Sequence, residues 1–289
     1  DVTLYEGEPI KEKPCGGGLS WRVLREYKEF LEDVPSFPID SAELDFEGKE
    51  FSLNFNKCAG YVINRSDFNR HMRKMVSDEG VKIINKTVDM SKQKGLTIDA
   101  TGNEKSPRMG VALRCYAKMN TEKMKFVFRR EFVKLGYFWI FPMGNGIVNV
   151  GVGGLANSFK VSAKESLEWF LNRNRLATNE ISGAAINLSG RIEKLVNGNI
   201  IKVGEAAGLV NPATGEGIYH AMKSGELAAK YISKDNVKEY EKEIQKMFSG
   251  EFRKSNILIK TLSFLPVPAS KLVFGYGMNK VKEIVNRGL

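Results

Sequence analysis

Apolar and polar positions change period several times along this chain, and each change marks an element. Residues 2–6 (Val-Thr-Leu-Tyr-Glu) read as a short β-rich strand that ends in an acid. A loop with Pro9, Pro14 and Gly16-Gly17-Gly18 follows, and then a helical stretch over 21–31. Residues 42–63 alternate around a turn at Glu47-Gly48-Lys49, which predicts antiparallel strands. Ser66 is the expected cap of a helix over 67–78, with Phe68, Met72, Met75 and Val76 on one face.

Short strands are expected at 81–84 and 96–99, and longer ones at 111–117, 125–133, 137–142 and 147–152. A helix over 163–173 begins near Ser162, and a strand at 199–203 leads through a glycine-rich loop into a helix over 217–232. The remainder is helical, broken by Pro266 and Pro268. Parallel-type elements at both ends with antiparallel strands between them imply an α/β (α+β) chain, an interrupted domain carrying an inserted sheet.

Composition narrows the class. Hydrophobic residues are 42% and charged residues 27%, which excludes a disordered chain. No apolar run reaches the ~18 residues of a spanning helix, and residues 1–6 carry no charged-then-apolar leader pattern. Cys15, Cys58 and Cys115 form no C-x-x-C pair, which excludes a zinc ribbon or a thioredoxin-like site; reduced thiols and a cytoplasmic setting are expected. With His71 and His220 as the only histidines, no metal site is expected.

The formal net charge is +10, and residues 251–289 supply half of it, with seven basic and two acidic side chains. Apolar runs at 257–259, 262–265 and 272–274 interrupt those charges. The plain reading is a helical tail packed on the core; the second is peripheral contact with the inner face of a membrane. No Lys/Arg cluster is interleaved with stacking aromatics, so nucleic acid is not an expected partner.

Three glycine-containing stretches carry the chemistry. The longest runs from Val203 to Ile218 (Val-Gly-Glu-Ala-Ala-Gly-Leu-Val-Asn-Pro-Ala-Thr-Gly-Glu-Gly-Ile) and joins a strand to a helix. Gly204 and Gly208 let backbone approach a ligand, and Gly215 and Gly217 free the chain just before a helix N-terminus with unpaired N–H groups. The second is Tyr137-Phe138-Trp139-Ile140-Phe141-Pro142 followed by Asn149-Val150-Gly151-Val152-Gly153. Its four aromatics can line an apolar channel, or form an ordinary aromatic core. The third is Pro14-Cys15-Gly16-Gly17-Gly18-Leu19-Ser20, whose lone cysteine is otherwise a small buried hydrophobe.

In chain order the three stretches resemble the motifs of the geranylgeranyl reductase branch of p-hydroxybenzoate hydroxylase-like FAD proteins: C-G-x-G-L-S, then Y-x-W-x-F-P with N-V-G-x-G, then G-D-A-A-G with N-P-x-T-G-x-G-I. The resemblance extends from Glu6 to about residue 280 and implies FAD as cofactor. It implies a Rossmann-like FAD domain over 1–36, 64–105 and 196–233, an antiparallel-sheet substrate domain over 37–63 and 106–195, and a helical region over 234–289. A G-x-G-x-x-G fingerprint, within a βα opening of roughly 25 to 30 residues, is expected before residue 1.

Residue by residue, the resemblance places Gly204, Glu205, Gly208, Pro212, Thr214, Gly215, Glu216, Gly217 and Ile218 against the flavin. Glu205 stands where the family has an aspartate that binds a ribityl hydroxyl. A reduced flavin is negative at its N1–C2=O edge, which a helix N-terminus stabilises. Glu6 would bind ribose hydroxyls. Arg65 of Asn-Arg-Ser-Asp-Phe, and Asp99 and Gly102 of Asp-Ala-Thr-Gly, would lie near the cofactor. Cys15, Gly16, Gly17 and Gly18 would sit beside the flavin. Tyr137, Trp139, Phe141, Pro142 and Gly151 would face an isoprenoid lipid.

The implied reaction is saturation of isoprenoid double bonds, with hydride from reduced flavin and a proton from Cys15, Tyr137 or water. The electron donor is open between a ferredoxin and a reduced nicotinamide. Two alternatives stand beside this: a flavin monooxygenase or halogenase on the same fold, and a flavin-free isoprenoid-lipid binding protein.

Overall fold

The computed structural model describes residues 2–7, 13–55, 57–102, 106, 108–178, 180–190, 192 and 194–286. Pro9 of the first predicted loop and residues 287–289 of the basic tail lie outside them. The chain is a mixed α/β protein with several sheets and C-terminal helices. It divides into two compact units, Asp1–Thr87 with Val111–Ala184 and Leu265–Leu289, and Val88–Gly110 with Ala185–Phe264. These units cut the chain differently from the three segments expected from the sequence.

In the first unit, β1 (Thr3–Tyr5) pairs in parallel with a strand at Lys82–Ile84. A three-stranded antiparallel sheet follows from β2 (Gly18–Ser20), β3 (Ser36–Ile39) and a strand at Gly60–Ile63, which lies in the middle. The residue 42–63 segment therefore does not stay in one sheet. β4 (Ser41–Phe46) and β5 (Lys49–Asn54) form a hairpin in the large sheet, while β6 (Gly60–Ile63) leaves it to join β2 and β3. Pro38 hid β3 from a sequence reading, but β3 is an edge strand, where proline forfeits no ladder bond.

The helical stretch expected over 21–31 is α1 (Trp21–Glu26) followed by a 3₁₀ turn at Lys28–Leu31, divided at Tyr27. α2 is Arg65–Asp78, and its cap is Asn64 rather than Ser66: the Asn64 carboxamide accepts from the Ser66 and Asp67 amides at 2.8 and 3.3 Å. Arg65 is thus the first helical residue. With β7 (Lys82–Ile84) and β8 (Thr97–Asp99), the short strands fall within a residue of expectation.

The large sheet has seven strands. β9 (Met109–Lys118), β10 (Met124–Phe128), β11 (Gly136–Gly144), β12 (Ile147–Leu155) and β13 (Ser182–Asn187) join β4 and β5 in the order β13-β9-β12-β11-β10-β4-β5. β10 stops at Phe128, short of the predicted 133. There Arg129 turns aside to Asp45, and the Phe132 and Val133 amides donate to the Arg129 carbonyl. One sheet face carries Val127, Phe138, Ile140, Val150 and Val152. These are buried against Leu167, Phe170 and Leu171 of α3 (Ala163–Arg173), whose Ser162 and Glu165 make a capping box.

In the second unit β8 pairs in parallel with β15 (Ile200–Lys202), whose other edge takes β14 (Val196–Asn197). α4 (Ile218–Ser233) and α5 (Val237–Phe264) pack there, with Tyr240 fully buried and its hydroxyl donating to the Lys202 carbonyl at 2.8 Å. Between α5 and the last helix the break is at Leu265-Pro266, not at Pro268. Pro268 lies in the first turn of α6 (Val267–Asn286), where its missing N–H has no partner to lose. Within the first unit, Phe274 of α6 stacks on Phe46 of β4 with ring centroids 4.4 Å apart. Leu272 and Tyr276 stay exposed on its other side.

The β4–β5 hairpin is locked by charge. Arg129 forks onto Asp45 with contacts of 2.8 and 2.5 Å, and the same carboxylate accepts from the Gly48 amide at 2.9 Å. Burial acts to raise the Asp45 pKa, but the Arg129 and Gly48 hydrogen bonds and the Arg129 charge outweigh it, so the carboxyl sits below its ordinary value. A depressed acid stabilises the fold above its unfolded pKa of about 3.9, and that contribution is lost as pH falls through the folded pKa. Asp45→Asn is expected to cost on the order of 3 kcal/mol near pH 7. In urea titrations the gap from the parent should narrow below about pH 4; a gap independent of pH would contradict this account.

Candidate functional site

The face of the large sheet opposite α3 is aromatic. Register explains why: Phe126 lies opposite Trp139, Tyr137 opposite Gly153, Trp139 opposite Gly151, and Phe141 opposite Asn149. Directly paired residues share a face, so Tyr137, Trp139, Phe141 and Phe126 stand together. Ring centroids are 5.1 Å apart for Phe126–Phe141, 5.6 Å for Phe126–Tyr137, and 6.1 Å for both Tyr137–Trp139 and Trp139–Phe141. The band continues through Phe128 to Phe274, 5.1 Å away.

Phe138 corrects the four-aromatic reading. By alternation it points to the α3 side, where it meets Phe170 at 4.7 Å. Pro142 falls on that same side by the same alternation, opposite Val148. Gly151 has a specific reason to be glycine. A β-carbon there would lie 2.2 Å from the Trp139 ring and 2.4 Å from the Leu113 carbonyl, so the bare backbone is what lets the indole lie across β12.

The Cys15 loop rests on this band. A β-carbon on Gly16 would meet Phe141 at 3.1 Å and Trp139 Nε1 at 3.4 Å, and one on Gly18 would meet Met124 and Phe141. Gly17 has φ +77°, and a side chain there would sit 2.2 Å from the Ile63 carbonyl, so the loop conformation requires glycine. Cys15 is half-buried, and its Sγ accepts from the Gly17 amide at 3.3 Å. Beneath it runs a relay the sequence reading missed. Trp139 Nε1 donates to Asn149 Oδ1 at 2.9 Å, and Asn149 Nδ2 donates to the Cys15 carbonyl at 2.8 Å. Asn149 is 1% exposed. Its signal in the sequence was a carboxamide on a strand position in register with Phe141.

Also in this unit, Glu6 is ion-paired with Arg73 of α2, and the Glu6 amide donates to the Ile84 carbonyl at 3.0 Å. Arg65 donates to Asn69 at 2.9 Å and lies over the Phe68 ring.

The second unit holds the Gly204–Ile218 stretch. Gly204–Ala207 is a 3₁₀ turn closed by Gly208, whose φ of +70° is the left-handed cap. The Gly204 amide donates to Ser224 Oγ of α4 at 2.9 Å, and Glu205 accepts from the Asn187 amide at 2.9 Å. Asn211 closes the following turn: its amide donates to the Glu216 carbonyl, its carbonyl accepts from Gly215, and its Oδ1 accepts from Ala213 and Thr214. Pro212 packs beside Gly190, and Thr214 Oγ1 accepts from the Glu216 amide at 3.2 Å.

α4 then starts at Ile218 with Gly217 as its cap, which makes no side-chain capping bond. The first helical bond runs from Ala221 to Gly217. The amides of residues 218–220 are therefore donors without an intrahelical acceptor, a set that fits the anionic edge of a reduced flavin. Asp99 is buried; its Oδ1 accepts from the Thr101 amide and hydroxyl, and its carbonyl accepts from the Val203 amide, which ties the Asp-Ala-Thr-Gly102 turn to the start of this stretch. A groove of about 350 Å³ beside α5, lined by Ser249, Arg253, Asn256 and Lys260, contains none of the expected site residues. Among the described residues no group of three or more acidic, cysteine or histidine side chains is placed to hold a metal ion.

The relay makes a prediction. Asn149→Leu leaves the Trp139 N–H and the Cys15 carbonyl unpaired, at about 1–3 kcal/mol for each buried group. It should lower thermal stability and speed alkylation of Cys15 several-fold, read by peptide mapping with buried Cys115 as internal reference. An unchanged Cys15 rate would show that Asn149 does not hold the loop.

Comparison with known proteins agrees with this geometry. Residues 111–190, which contain the aromatic strands, match the model of the geranylgeranyl reductase catalytic domain. Digeranylgeranylglycerophospholipid reductase 1 of Methanosphaera stadtmanae is 28% identical over 275 residues, a match that takes in 78% of this chain and 66% of that relative's length. A geranylgeranyl bacteriochlorophyll reductase-like protein from Thermoplasma acidophilum superposes with a TM-score of 0.82 at 22% identity, over 94% of this chain and 84% of its own. The flavin-dependent brominase Bmp2 shares the fold at a TM-score of 0.69 and 14% identity, over 99% of this chain and 92% of its own. Motif order, the catalytic-domain match over residues 111–190 and these relatives together make the chain similar to the geranylgeranyl reductases, on a fold shared with flavin-dependent enzymes.

Proposed function

We propose that this protein saturates the double bonds of a geranylgeranyl-type lipid, with FAD as its flavin. The observation that carries the reading is the aromatic band of Tyr137, Trp139, Phe141 and Phe126, with the Cys15–Gly18 loop packed on it through Gly16 and Gly18. An isoprenoid chain offers no hydrogen bonds and is recognised by apolar area, which rings on a rigid sheet supply at little entropic cost. Bound reduced flavin supplies the hydride that one alkene carbon receives.

The residues of this chain do the rest. Trp139 and Phe141 hold the alkene in register, since an isolated double bond accepts hydride only when closely aligned. Cys15 delivers the proton to the second carbon, with Tyr137, half-buried on the same face, as the other acid within the band. The Gly17 amide donating to Cys15 Sγ stabilises the sulfur after the proton leaves. The 204–218 stretch holds the isoalloxazine edge with the α4 amides, and Glu205 binds a ribityl hydroxyl with its carboxylate. Glu6 binds the ribose of the adenosine half after exchanging part of its contact with Arg73.

The lipid is met at a membrane surface. Leu272, Val273 and Tyr276 of α6 are exposed, and Lys271 and Lys280 lie on the same helix, an apolar and basic combination suited to anionic headgroups. Among the described residues no helix is long and apolar enough to cross a membrane.

The test is anaerobic. The complete protein, with its FAD chemically reduced, is mixed with digeranylgeranylglycerol phospholipid in vesicles. Flavin reoxidation matched by saturated product in mass spectra is expected, faster in anionic than in zwitterionic vesicles. The absence of both reoxidation and saturated product would sink the proposal, and oxygen-dependent hydroxylated product would favour the monooxygenase alternative. Vesicle charge without effect would remove the membrane-surface element alone.

A further inference from the structure

Within the second unit, one buried polar cluster is not absorbed by the chemistry above. Asn211 is 5% exposed and spends every polar atom it has. Its amide and carbonyl close the turn onto Glu216 and Gly215, and its Oδ1 takes the amides of Ala213 and Thr214. That leaves its Nδ2, which donates to Glu251 Oε1 of α5 at 2.7 Å. The two backbone amides fix which end of the carboxamide is oxygen, so the donor must face α5. Glu251 Oε1 also lies 3.4 Å from Nε2 of His220, in the first turn of α4. His220 is fully buried beside Phe248 and Phe252, and neither ring nitrogen has a hydrogen-bond partner in the structure.

One carboxylate thus reaches both the hub of the glycine turn and the first turn of the helix that follows it. The orientation of Gly215 and Gly217 depends on Asn211, and Asn211 is held from outside the turn by Glu251. We propose that Glu251 is a positioning residue for the flavin-binding stretch, fixing the turn at Asn211 against the start of α4 so that the amides of residues 218–220 hold one direction. The inference rests on the flavin reading of this stretch and adds a residue 33 positions beyond its last glycine-turn member, Ile218, to what sets it. A donor set fixed in advance binds more tightly than one that must be ordered on binding, because the ordering entropy is already spent.

The test uses a swap that preserves shape. Asn211→Asp keeps the oxygen that accepts from Ala213 and Thr214 but turns the remaining atom from donor to acceptor, facing Glu251. In the complete protein, FAD affinity should fall about tenfold, the loss of one charge-assisted hydrogen bond. The flavin midpoint potential should move as well. Glu251→Gln in the Asn211→Asp background restores a donor opposite an acceptor and should recover affinity to within about threefold of the parent, roughly the spread of one weak hydrogen bond.

An Asn211→Asp variant with parental FAD affinity and potential would overturn the inference. So would a double variant no better than the single one, whether the single variant is weak in binding or too unstable to isolate. A parent protein that binds no FAD would overturn the flavin reading itself, which separates the two failures.

Discussion

The first unit depends on one side chain placement, the Trp139 indole lying across the next strand with its N–H satisfied. A buried indole removes roughly 150–250 Å² from water, worth about 4–6 kcal/mol at ~25 cal/mol per Å². That gain requires a partner for the N–H and room for the ring. Asn149 supplies the first and Gly151 the second, two residues apart on β12 and so on the same sheet face. Because Asn149 has a second hydrogen to donate, the same carboxamide fixes the Cys15 carbonyl. Packing of the sheet and placement of the thiol are therefore one event. The Asn-x-Gly spacing is where fold and chemistry meet.

The large sheet divides its labour by face. Val127, Phe138 and Ile140 with their β12 neighbours close onto α3 and make the core. The other face carries the aromatic band, with the small β2-β6-β3 sheet contributing Ile39 and Val62 beside Trp139 and Phe141. A one-residue slip of β11 would exchange the two sets, and it would take Tyr137 and Trp139 away from Gly153 and Gly151, the positions whose bare backbone gives their rings room. The Arg129–Asp45 fork ends β10 beside β4, where β10 would otherwise run on.

Much of this was legible in the sequence because local signals agreed with tertiary ones. Ser162 announced the start of α3, where the structure completes a capping box with Glu165, and the Glu47-Gly48 turn announced the β4–β5 hairpin. Misreadings came where a distant partner decided. Asn64 outcompeted Ser66 as a cap because a carboxamide two residues earlier reached the Ser66 and Asp67 amides. β10 ended early because Arg129 found a carboxylate 84 residues away in sequence. β3 was hidden by Pro38, which is harmless on an edge. The motif glycines were visible with Asn149 and Asn211 among them, but the roles of these two asparagines and of Glu251 were not, since nothing local distinguishes a carboxamide or carboxylate that organises a loop from one that faces water. Glu6 and Glu205 were read as ligands of ribose and ribityl hydroxyls; each also holds a partner within its unit, Arg73 and the Asn187 amide.

The central claim is that the isoprenoid chain lies on the Tyr137–Trp139–Phe141 face. Photolabelling tests it most directly. A geranylgeranyl lipid carrying a diazirine along its chain, irradiated with the complete protein and mapped by peptide mass spectrometry, should place adducts on β10, β11 and the Cys15 loop, with competition by unlabelled lipid. Competed adducts confined to α5 and α6, with none on those strands, would contradict the account.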